Sequence, residues 1–283
     1  MATRARVKLG LIGGNIKASR SPALHRIAGR LAGLEVSYDL LIPAELGLTF
    51  AEVLEKCADE GYRGVNVTYP FKEAVVARVQ VADANIRRLG AVNTVLFTPE
   101  GAQGFNTDYS GFAAAYRARF GAVAPGRVVL IGAGGVGRAI GFALALLGAQ
   151  EVRILDRDAS KAQSLAEGLA AIGAGAPRVV LARDVAEALH GADGVVNATP
   201  VGMVGYGGTP VPGDLWPGRA WAFDAVYTPV DTQFTVEAAA AGVNVLSGYE
   251  LFFYQGVQAF EIFTGHSVDA QAQLRAGLLD QAA

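Results

Sequence analysis

The sequence lacks the residues that would place it in several common protein classes. It has one cysteine, Cys57, in 283 residues, which excludes an internal disulfide and any zinc site built from several cysteines. The formal net charge is −2 and basic residues form no block, so we expect neither nucleic acid nor an anionic membrane as a partner. The three histidines, His25, His190 and His266, lack metal-ligand spacing, and we expect no metal.

Long hydrophobic runs are also missing. No stretch approaches the roughly 18 consecutive apolar residues that a membrane helix needs. The apolar start of the chain is short and broken by glycines, which favours a first strand over a signal peptide. Since 52% of the residues are hydrophobic and 18% are charged, a sizeable core can be buried. These features predict a soluble, cytoplasmic protein, monomeric or homodimeric.

Apolar strands alternate with helices along almost the whole chain, which predicts mainly parallel sheets with helices on both faces. The predicted strands are Val7–Ile12, Val36–Ile42, Gly64–Val67, Val128–Ile131, Glu151–Leu155, Val179–Leu181, Gly194–Val196, Trp221–Asp224 and Val243–Leu246. A break at Gly121–Gly126 separates two α/β series, and the aromatic-rich C-terminal helices are expected to return to the first. The predicted domains are 1–108 with 248–283, and 109–247.

A glycine-rich loop follows the strand Val128–Ile131. Residues 132–137 read GAGGVG and precede an apolar helix, predicted at Ala139–Leu147. In this context the first glycine makes a tight turn, the second admits a pyrophosphate, and the third lets helix and strand pack closely. The pattern predicts a Rossmann-type dinucleotide site formed by Gly132, Ala133, Gly134, Gly135, Val136 and Gly137.

The next strand of this series ends at Asp156, about twenty residues after the last glycine of the loop. A carboxylate there can accept hydrogen bonds from a ribose 2′-hydroxyl and repels a 2′-phosphate, which favours NAD over NADP. The neighbouring cations Arg157 and Lys161 could instead hold a 2′-phosphate, so NADP stays open.

Small polar residues follow the strands of the first series, where α/β folds place their ligands. They lie in the segments ASRSP, NVTYPFKE, LGAVNT and GFNTDYSG. Hydroxyls and amides with one ammonium and one carboxylate suit a small, hydroxyl-rich, anionic molecule.

These segments, followed by GAGGVG, NATPVGM and YQG, resemble the shikimate/quinate dehydrogenase family in order and spacing over essentially the whole chain. The resemblance implies a first lobe that binds shikimate or quinate with the C-terminal helices, and a second that binds a nicotinamide cofactor. It implies that Ser19 and Ser21 hold the substrate carboxylate, with Tyr227 nearby. The implied partners of the ring hydroxyls are Asn66, Thr68, Asn93 and Gln255. Further cofactor contacts are expected from Asn197, Thr199, Val226 and Gly248.

The same resemblance implies that Lys72 and Asp108 form the catalytic pair. Oxidation of an alcohol requires removal of its proton as hydride leaves, so a base must lie within hydrogen-bond reach. We expect Lys72 to exchange this proton and Asp108 to orient both the lysine and the hydroxyl, the two acting as one coupled unit.

Structural roles are the alternatives for several of these residues. Ser21, before Pro22, could cap a helix, and Asp108 could cap the helix that is predicted to start at Tyr109. Lys72 could be an ordinary lysine after a turn, Gln255 could be a surface amide, and Cys57 is expected to be inert.

The chain departs from the family pattern at two places. Residues 13–19 read GGNIKAS where the family usually has a G-x-P-I-x-H-S stretch, so that Lys17 adds a positive charge. Residues 156–158 read Asp-Arg-Asp where NADP-dependent members usually have Asn-Arg-Thr. On the family motifs, the leading hypothesis is an NAD(P)-dependent shikimate dehydrogenase. The acid at Asp156 favours NAD as its cofactor. Quinate or an aminoshikimate as substrate, or a non-catalytic NAD-binding regulator, are the alternatives.

Overall fold

The computed structural model describes residues 4–216 and 218–280, and these form two compact units. The first comprises the chain up to Thr107 together with the chain from Phe253 onward. The second runs from Asp108 to Phe252. The two boundaries fall inside helices, one and five residues away from the positions that the sequence predicts.

The first unit contains a five-stranded sheet in the order β2-β1-β3-β4-β5. β1 pairs in parallel with β2 and β3. The strands are β1 (Arg6–Ile12), β2 (Glu35–Leu41), β3 (Gly64–Val67), β4 (Thr94–Thr98) and β5 (Gly101–Phe105). The helices are α1 (Ser21–Leu31), α2 (Pro43–Leu46), α3 (Phe50–Asp59) and α4 (Ala84–Leu89), with a 3₁₀ turn at Ala74–Arg78.

The hairpin of β4 and β5 makes the first sheet mixed, because β4 runs against the other four strands of this sheet. β4 pairs antiparallel with both β3 and β5. Neither strand is among the strands predicted from the sequence. The reversal brings the start of β4 beside the end of β3, because antiparallel strands run in opposite directions.

The C-terminal helices α10 (Gly248–Thr264) and α11 (Gln271–Asp280) contribute to the first unit. Phe263 is fully buried in one cluster with Leu9 and Tyr38. Leu24 packs so closely on Gly256 that a Cβ there would lie 2.5 Å from its side chain. These contacts confirm the predicted return of the C-terminal helices to the first lobe. The helices pack there because burial of their aromatic side chains stabilises the folded chain.

The second unit is built on a six-stranded, all-parallel sheet in the order β11-β10-β9-β6-β7-β8. Central strands such as β9 are completely buried, as parallel strands covered on both faces are. The strands are β6 (Arg127–Ile131), β7 (Glu151–Leu155), β8 (Arg178–Leu181), β9 (Gly194–Asn197), β10 (Trp221–Asp224) and β11 (Asn244–Ser247). The helices are α5 (Thr107–Phe120), α6 (Gly135–Leu146), α7 (Ala159–Ala170), α8 (Val185–Leu189) and α9 (Gln233–Ala240).

Two negative findings concern the residues that the structure describes. Across 4–216 and 218–280, no helix is long and apolar enough to cross a membrane. The same residues contain no group of three or more His, Cys, Asp or Glu side chains that could hold a metal ion.

The cysteine lies in the core of the first unit. Cys57 is buried in α3, and burial raises the pKa of its thiol to about 12. Because the thiolate is the reactive form, this pKa favours an inert thiol over a nucleophile.

Candidate functional site

Several predicted site residues of the first unit meet at the carboxyl ends of β1 and β3. These two strands end side by side, with Ile12 opposite Val67. Asn93 immediately precedes β4 and its carbonyl accepts a hydrogen bond from the backbone nitrogen of Val67 (2.8 Å). The antiparallel hairpin thus brings Asn93 next to Asn66, which lies in β3.

The two asparagines belong to a buried hydrogen-bond network. Asn66 Nδ2 donates to the carbonyl of Asn93 (3.3 Å) and to Thr94 Oγ1 (3.1 Å). Asn93 Oδ1 accepts from the Thr107 backbone nitrogen (2.7 Å) and from Thr94 Oγ1 (3.0 Å), while its Nδ2 donates to Thr107 Oγ1 (3.0 Å). Buried amides held on several sides keep a fixed orientation, which is what recognition of a hydroxylated ligand requires.

Tyr38 and His25 support this network and were not identified as site residues from the sequence. Tyr38 Oη donates to Asn66 Oδ1 (2.9 Å). The imidazole of His25 stacks on the Tyr38 ring, with 4.7 Å between ring centroids. His25 is buried, and desolvation lowers its pKa from 6.5 to about 3, against a smaller opposing effect of Asn66. His25 is therefore a neutral core residue.

The depressed pKa of His25 predicts a loss of stability in acid. The unfolded chain binds a proton at this residue below pH 6.5 and the folded chain does not. The free energy of unfolding should therefore fall by up to about 1.4 kcal/mol for each unit by which the pH is lowered, from pH 6.5 down to the pKa of His25 in the folded protein. Urea unfolding of His25→Phe at several pH values should show a shallower slope than wild type. His190→Gln, which alters an exposed histidine, should keep the wild-type slope; equal slopes in all three proteins would contradict the assignment.

The two predicted carboxylate-binding serines lie together after β1. Ser19 Oγ donates to Ser21 Oγ (3.2 Å), and the Ser21 backbone nitrogen donates to Ser19 Oγ (3.2 Å). The alternative reading of Ser21 as a helix cap is wrong, because α1 begins at Ser21 and Arg20 is the capping residue. Both serine residues are partly exposed.

Thr68 and Lys72 follow β3, and both are partly buried. The backbone of Lys72 is held by a hydrogen bond from the Val92 nitrogen to its carbonyl (2.8 Å). Asp108 is 6% exposed and is the second residue of α5. The alternative that Asp108 caps this helix is wrong, because the helix starts at Thr107.

Two further predicted substrate residues lie in or near α10. Gln255 is a partly exposed residue of that helix, in the first unit. Tyr227 follows β10 in the second unit and stacks on Phe252, with ring centroids 5.2 Å apart.

The glycine loop of the second unit has the geometry of a phosphate cradle. Gly132 adopts a φ of +101°, which favours glycine. A Cβ at Gly137 would lie 1.9 Å from the carbonyl oxygen of Gly132, so only glycine fits where helix and strand meet. Around Gly134, by contrast, the described residues place no atom within 4 Å of a Cβ.

Helix α6 begins at Gly135, four residues earlier than predicted, directly after the uncrowded Gly134. Because the N-cap is a glycine, no side chain at that position occupies the first N–H groups of the helix. Unsatisfied N–H groups and the helix dipole make such a terminus an anion site. The loop therefore fits the pyrophosphate of a dinucleotide.

Asp156 lies beside the glycine loop, as the spacing predicts. Its carboxylate accepts hydrogen bonds from the backbone nitrogens of Ala133 (2.6 Å) and Asp158 (2.8 Å). Asp158 caps α7, and the hydroxyl of Ser160 holds the pKa of this exposed carboxyl below its usual value. Two negative charges thus follow β7, while Arg157 and Lys161 are exposed beside them.

The order of strands places the glycine loop at the point where the sheet reverses direction. The chain runs from β6 outward to β8 and then crosses to β9, which pairs with β6. Their last residues, Ile131 and Asn197, are direct neighbours. Ligands of open α/β sheets bind in the crevice outside such a reversal.

The remaining predicted cofactor residues lie at or just after the carboxyl ends of β9, β10 and β11. Asn197 Oδ1 accepts from the backbone nitrogen (3.0 Å) and hydroxyl (2.6 Å) of Thr199. Val226 follows β10, which neighbours β9. Gly248 opens α10, where a Cβ would lie 2.6 Å from the carbonyl oxygen of Asp224.

Both halves of the chain match domains of one protein family. Residues 11–95 match the shikimate dehydrogenase substrate binding domain, and residues 115–202 match shikimate / quinate 5-dehydrogenase. The quinate/shikimate dehydrogenase (NAD(+)) of Corynebacterium efficiens is 37% identical over 278 residues, 96% of this chain and 98% of that protein. The chain belongs to the shikimate/quinate dehydrogenase family.

Two further members of the shikimate/quinate dehydrogenase family support this assignment. The shikimate dehydrogenase (NADP(+)) of Pseudarthrobacter chlorophenolicus is 38% identical, over 93% of this chain and 91% of that protein. The solved structure of quinate dehydrogenase from Corynebacterium glutamicum in complex with NAD has 35% sequence identity to this chain. Its TM-score is 0.90, and the match covers 98% of this chain and 100% of that one. The predicted α/β fold and the predicted class, an oxidoreductase with a nicotinamide dinucleotide as cofactor, are confirmed at the level of the family.

One departure of this dehydrogenase from the family pattern has a partner in the structure. Lys17 Nζ lies 2.6 Å from Glu45 Oε1, and both side chains are exposed. The added positive charge near the two serines is therefore partly compensated, although an exposed pair of this kind contributes little to stability.

Proposed function

We propose that this enzyme catalyses the reversible NAD(P)-dependent oxidation of shikimate to 3-dehydroshikimate in the cytoplasm. The observation that carries the proposal is the full-length similarity to a quinate/shikimate dehydrogenase in a chain that keeps both Lys72 and Asp108. Quinate is the second candidate, because that relative is a quinate/shikimate dehydrogenase and the similar solved structure is a quinate dehydrogenase.

We assign binding of the substrate to the polar residues of the first unit. Ser19 and Ser21 hold the carboxylate, and Tyr227 is a further contact. Asn66, Thr68, Asn93 and Gln255 hydrogen-bond the ring hydroxyls. The fixed amides of the Asn66–Asn93 network support this assignment, because a preorganised donor loses little entropy when it binds.

The chemistry requires a hydride acceptor and a proton acceptor. A nicotinamide dinucleotide held by the glycine loop would supply the first, a hydride acceptor at C4 of its ring. Lys72 Nζ takes the proton of the reacting hydroxyl, and the Asp108 carboxylate orients the lysine and the hydroxyl. In the reverse direction the same ammonium returns the proton to the carbonyl oxygen.

We propose NAD as the preferred cofactor. Asp156 and Asp158 both follow β7, and their charges oppose a 2′-phosphate. The exposed cations Arg157 and Lys161 act in the other direction, because they would attract that phosphate. We assign the preference to Asp156, because hydrogen bonds from the backbone nitrogens of Ala133 and Asp158 hold its carboxylate beside the glycine loop, where it can accept from a ribose 2′-hydroxyl.

Asp156→Asn should raise the ratio of kcat/KM for NADP to that for NAD by about tenfold, because one unit of charge repulsion is removed. The amide keeps an oxygen that can accept from Ala133. Steady-state kinetics with both cofactors measures the ratio, and Asp59→Asn, an exposed acid in the first unit, is the control. An unchanged ratio would remove Asp156 from cofactor selection.

The proposed function itself is tested by initial rates over four combinations: shikimate or quinate, each with NAD or NADP. We expect reduction of NAD with shikimate at alkaline pH, followed by absorbance of the reduced nicotinamide. A higher kcat/KM with quinate would identify a quinate dehydrogenase. A folded protein that binds the cofactor but oxidises neither acid would overturn the proposal.

A further inference from the structure

Asp224 is a completely buried acid that the sequence analysis did not connect with function. It is the last residue of β10, in register with Asn197 at the end of β9. Its carboxyl group accepts three hydrogen bonds. Oδ1 accepts from Asn197 Nδ2 (2.9 Å) and from the Val226 backbone nitrogen (3.0 Å), and Oδ2 accepts from Thr232 Oγ1 (2.5 Å).

The three donors come from three different segments. Asn197 organises the turn after β9, where its Oδ1 accepts from Thr199 and its Nδ2 also donates to the carbonyl of Val201 (3.0 Å). Val226 belongs to the loop after β10. Thr232 caps α9 by accepting a hydrogen bond from the Thr235 backbone nitrogen (3.2 Å). A single carboxyl group therefore fixes these segments to one another.

Two of these segments carry residues that we assign to the cofactor, Thr199 and Val226. Both follow the carboxyl ends of strands beside the reversal of the sheet, where α/β folds bind ligands. Backbone hydrogen bonds from Ala198 to Ile131 (2.7 Å) and from Ala225 to Asn197 (2.8 Å) also hold these loops. The Asp224 carboxyl group adds buried side-chain hydrogen bonds to this support, which fix the conformation of a binding site.

A role in stability alone explains this carboxyl group poorly. Desolvation raises the pKa of Asp224 from 3.8 to about 6, although its three hydrogen bonds act in the opposite direction. Because the folded pKa exceeds the unfolded value, the contribution of this group to stability is lost as the pH rises through about 6. At neutral pH the protein thus keeps a buried charge at a cost, as is common at functional sites.

We propose that Asp224 is a positioning residue that holds Thr199 and Val226 in the conformation that binds the cofactor. This inference rests on the proposed function. The groups that face the carboxyl group are Asn197 from β9, the backbone of Val226 from its own loop and Thr232 from α9, none of which titrates. Its ionised form accepts from all three donors, whereas its protonated form gives up one acceptor position.

The test measures the dissociation constants of NADH and NADPH by fluorescence, which requires no turnover. For wild type, we expect the dissociation constant of the preferred cofactor to fall about threefold or more as the pH rises from 5 to 7. Asp224→Asn should remove this dependence, because its amide oxygen still accepts from Asn197 and Val226 but no longer titrates. Asp224→Ala should weaken cofactor binding about tenfold or more at pH 7, since three donors lose their partner.

Further variants keep the inference testable if Asp224→Ala does not fold. Thr232→Val removes one of the three donors and should weaken cofactor binding in the same direction by a smaller factor. Thr264→Val, which removes a hydroxyl bonded to a helix carbonyl in the first unit, is the matched control and should bind as wild type does. The KM for the acid substrate should change less than the KM for the cofactor in both position-224 variants.

The outcomes separate this inference from the proposed function. Wild-type affinity that is constant from pH 5 to 8, or wild-type affinity in Thr232→Val and in folded Asp224→Ala, would overturn the positioning role even if shikimate is oxidised. The expected pH dependence without oxidation of shikimate or quinate would support Asp224 and overturn the proposed function.

Discussion

Replacing Lys72 with alanine should lower kcat by about 10²–10⁴-fold, because general base catalysis typically contributes that much. The KM for shikimate should change far less, since the serines and asparagines that we assign to ground-state binding remain. In kinetic terms, loss of kcat with a nearly constant KM identifies an interaction made only in the transition state. Steady-state kinetics from neutral to alkaline pH measures both parameters.

Two further variants complete this experiment. Lys56→Ala removes an exposed lysine that is paired with Glu60 in the same unit, and it should leave kcat unchanged. Asp108→Asn should also lower kcat, and the double variant should be little worse than Lys72→Ala, because residues that act as one unit are not additive. A wild-type kcat in Lys72→Ala would show that another group moves the proton.

Gly134→Ala should weaken binding of the nicotinamide dinucleotide by about tenfold or more while leaving the fold intact, because a Cβ would enter the space offered to the pyrophosphate. The φ of Gly134 is −72°, and the described part of the chain has no atom within 4 Å of that Cβ. Alanine at such a position costs no backbone strain, so the melting temperature should stay equal or rise slightly.

Gly137→Ala should behave differently, although the two positions are only three residues apart. Its Cβ would lie 1.9 Å from the carbonyl oxygen of Gly132, so helix α6 must move away from β6. We expect a destabilisation of about 3 kcal/mol or more, at the upper end of the range for overpacked sites.

Thermal unfolding and titration with NADH separate the two effects. Gly277→Ala is the control, because a Cβ at this position in α11 would lie 3.4 Å from Ile27, an ordinary van der Waals distance. This variant should change neither the melting temperature nor the affinity for NADH by much. Unchanged cofactor affinity in Gly134→Ala would refute the cradle. A wild-type melting temperature in Gly137→Ala would refute the close contact between helix and strand.

The second unit could be predicted closely because its signals are local. Each buried parallel strand is a short apolar run, and the run Val128–Ile131 is followed by glycines and a helix. The hairpin of β4 and β5 was missed because its strands contain glycine, threonine and glutamine and lack a clear alternation. Its position depends on pairing with β3, which is a contact distant in the sequence.

Among the site residues, the sequence identified the groups that can bind or react but not the groups that hold them. Asn66 and Asn93 stand out as polar residues after strands, and their mutual hydrogen bonds are seen only in the structure. Asp224 gave only a weak signal in the sequence, because an acid as the last residue of an apolar strand could equally be a surface residue. Burial and three donors give Asp224 its significance, and both arise from elements far apart in the chain.

By itself, the amino-acid sequence determined the α/β class, the dinucleotide loop and its acid, and the order of the family motifs, because these depend on residues that are neighbours in the chain. Only the tertiary structure decided the mixed first sheet, the neutral state of His25, and the shared hub that joins Asn197, Val226 and Thr232. Strand pairing, desolvation and hydrogen bonding between separate segments depend on distances in space, which the spacing of residues along the chain does not contain.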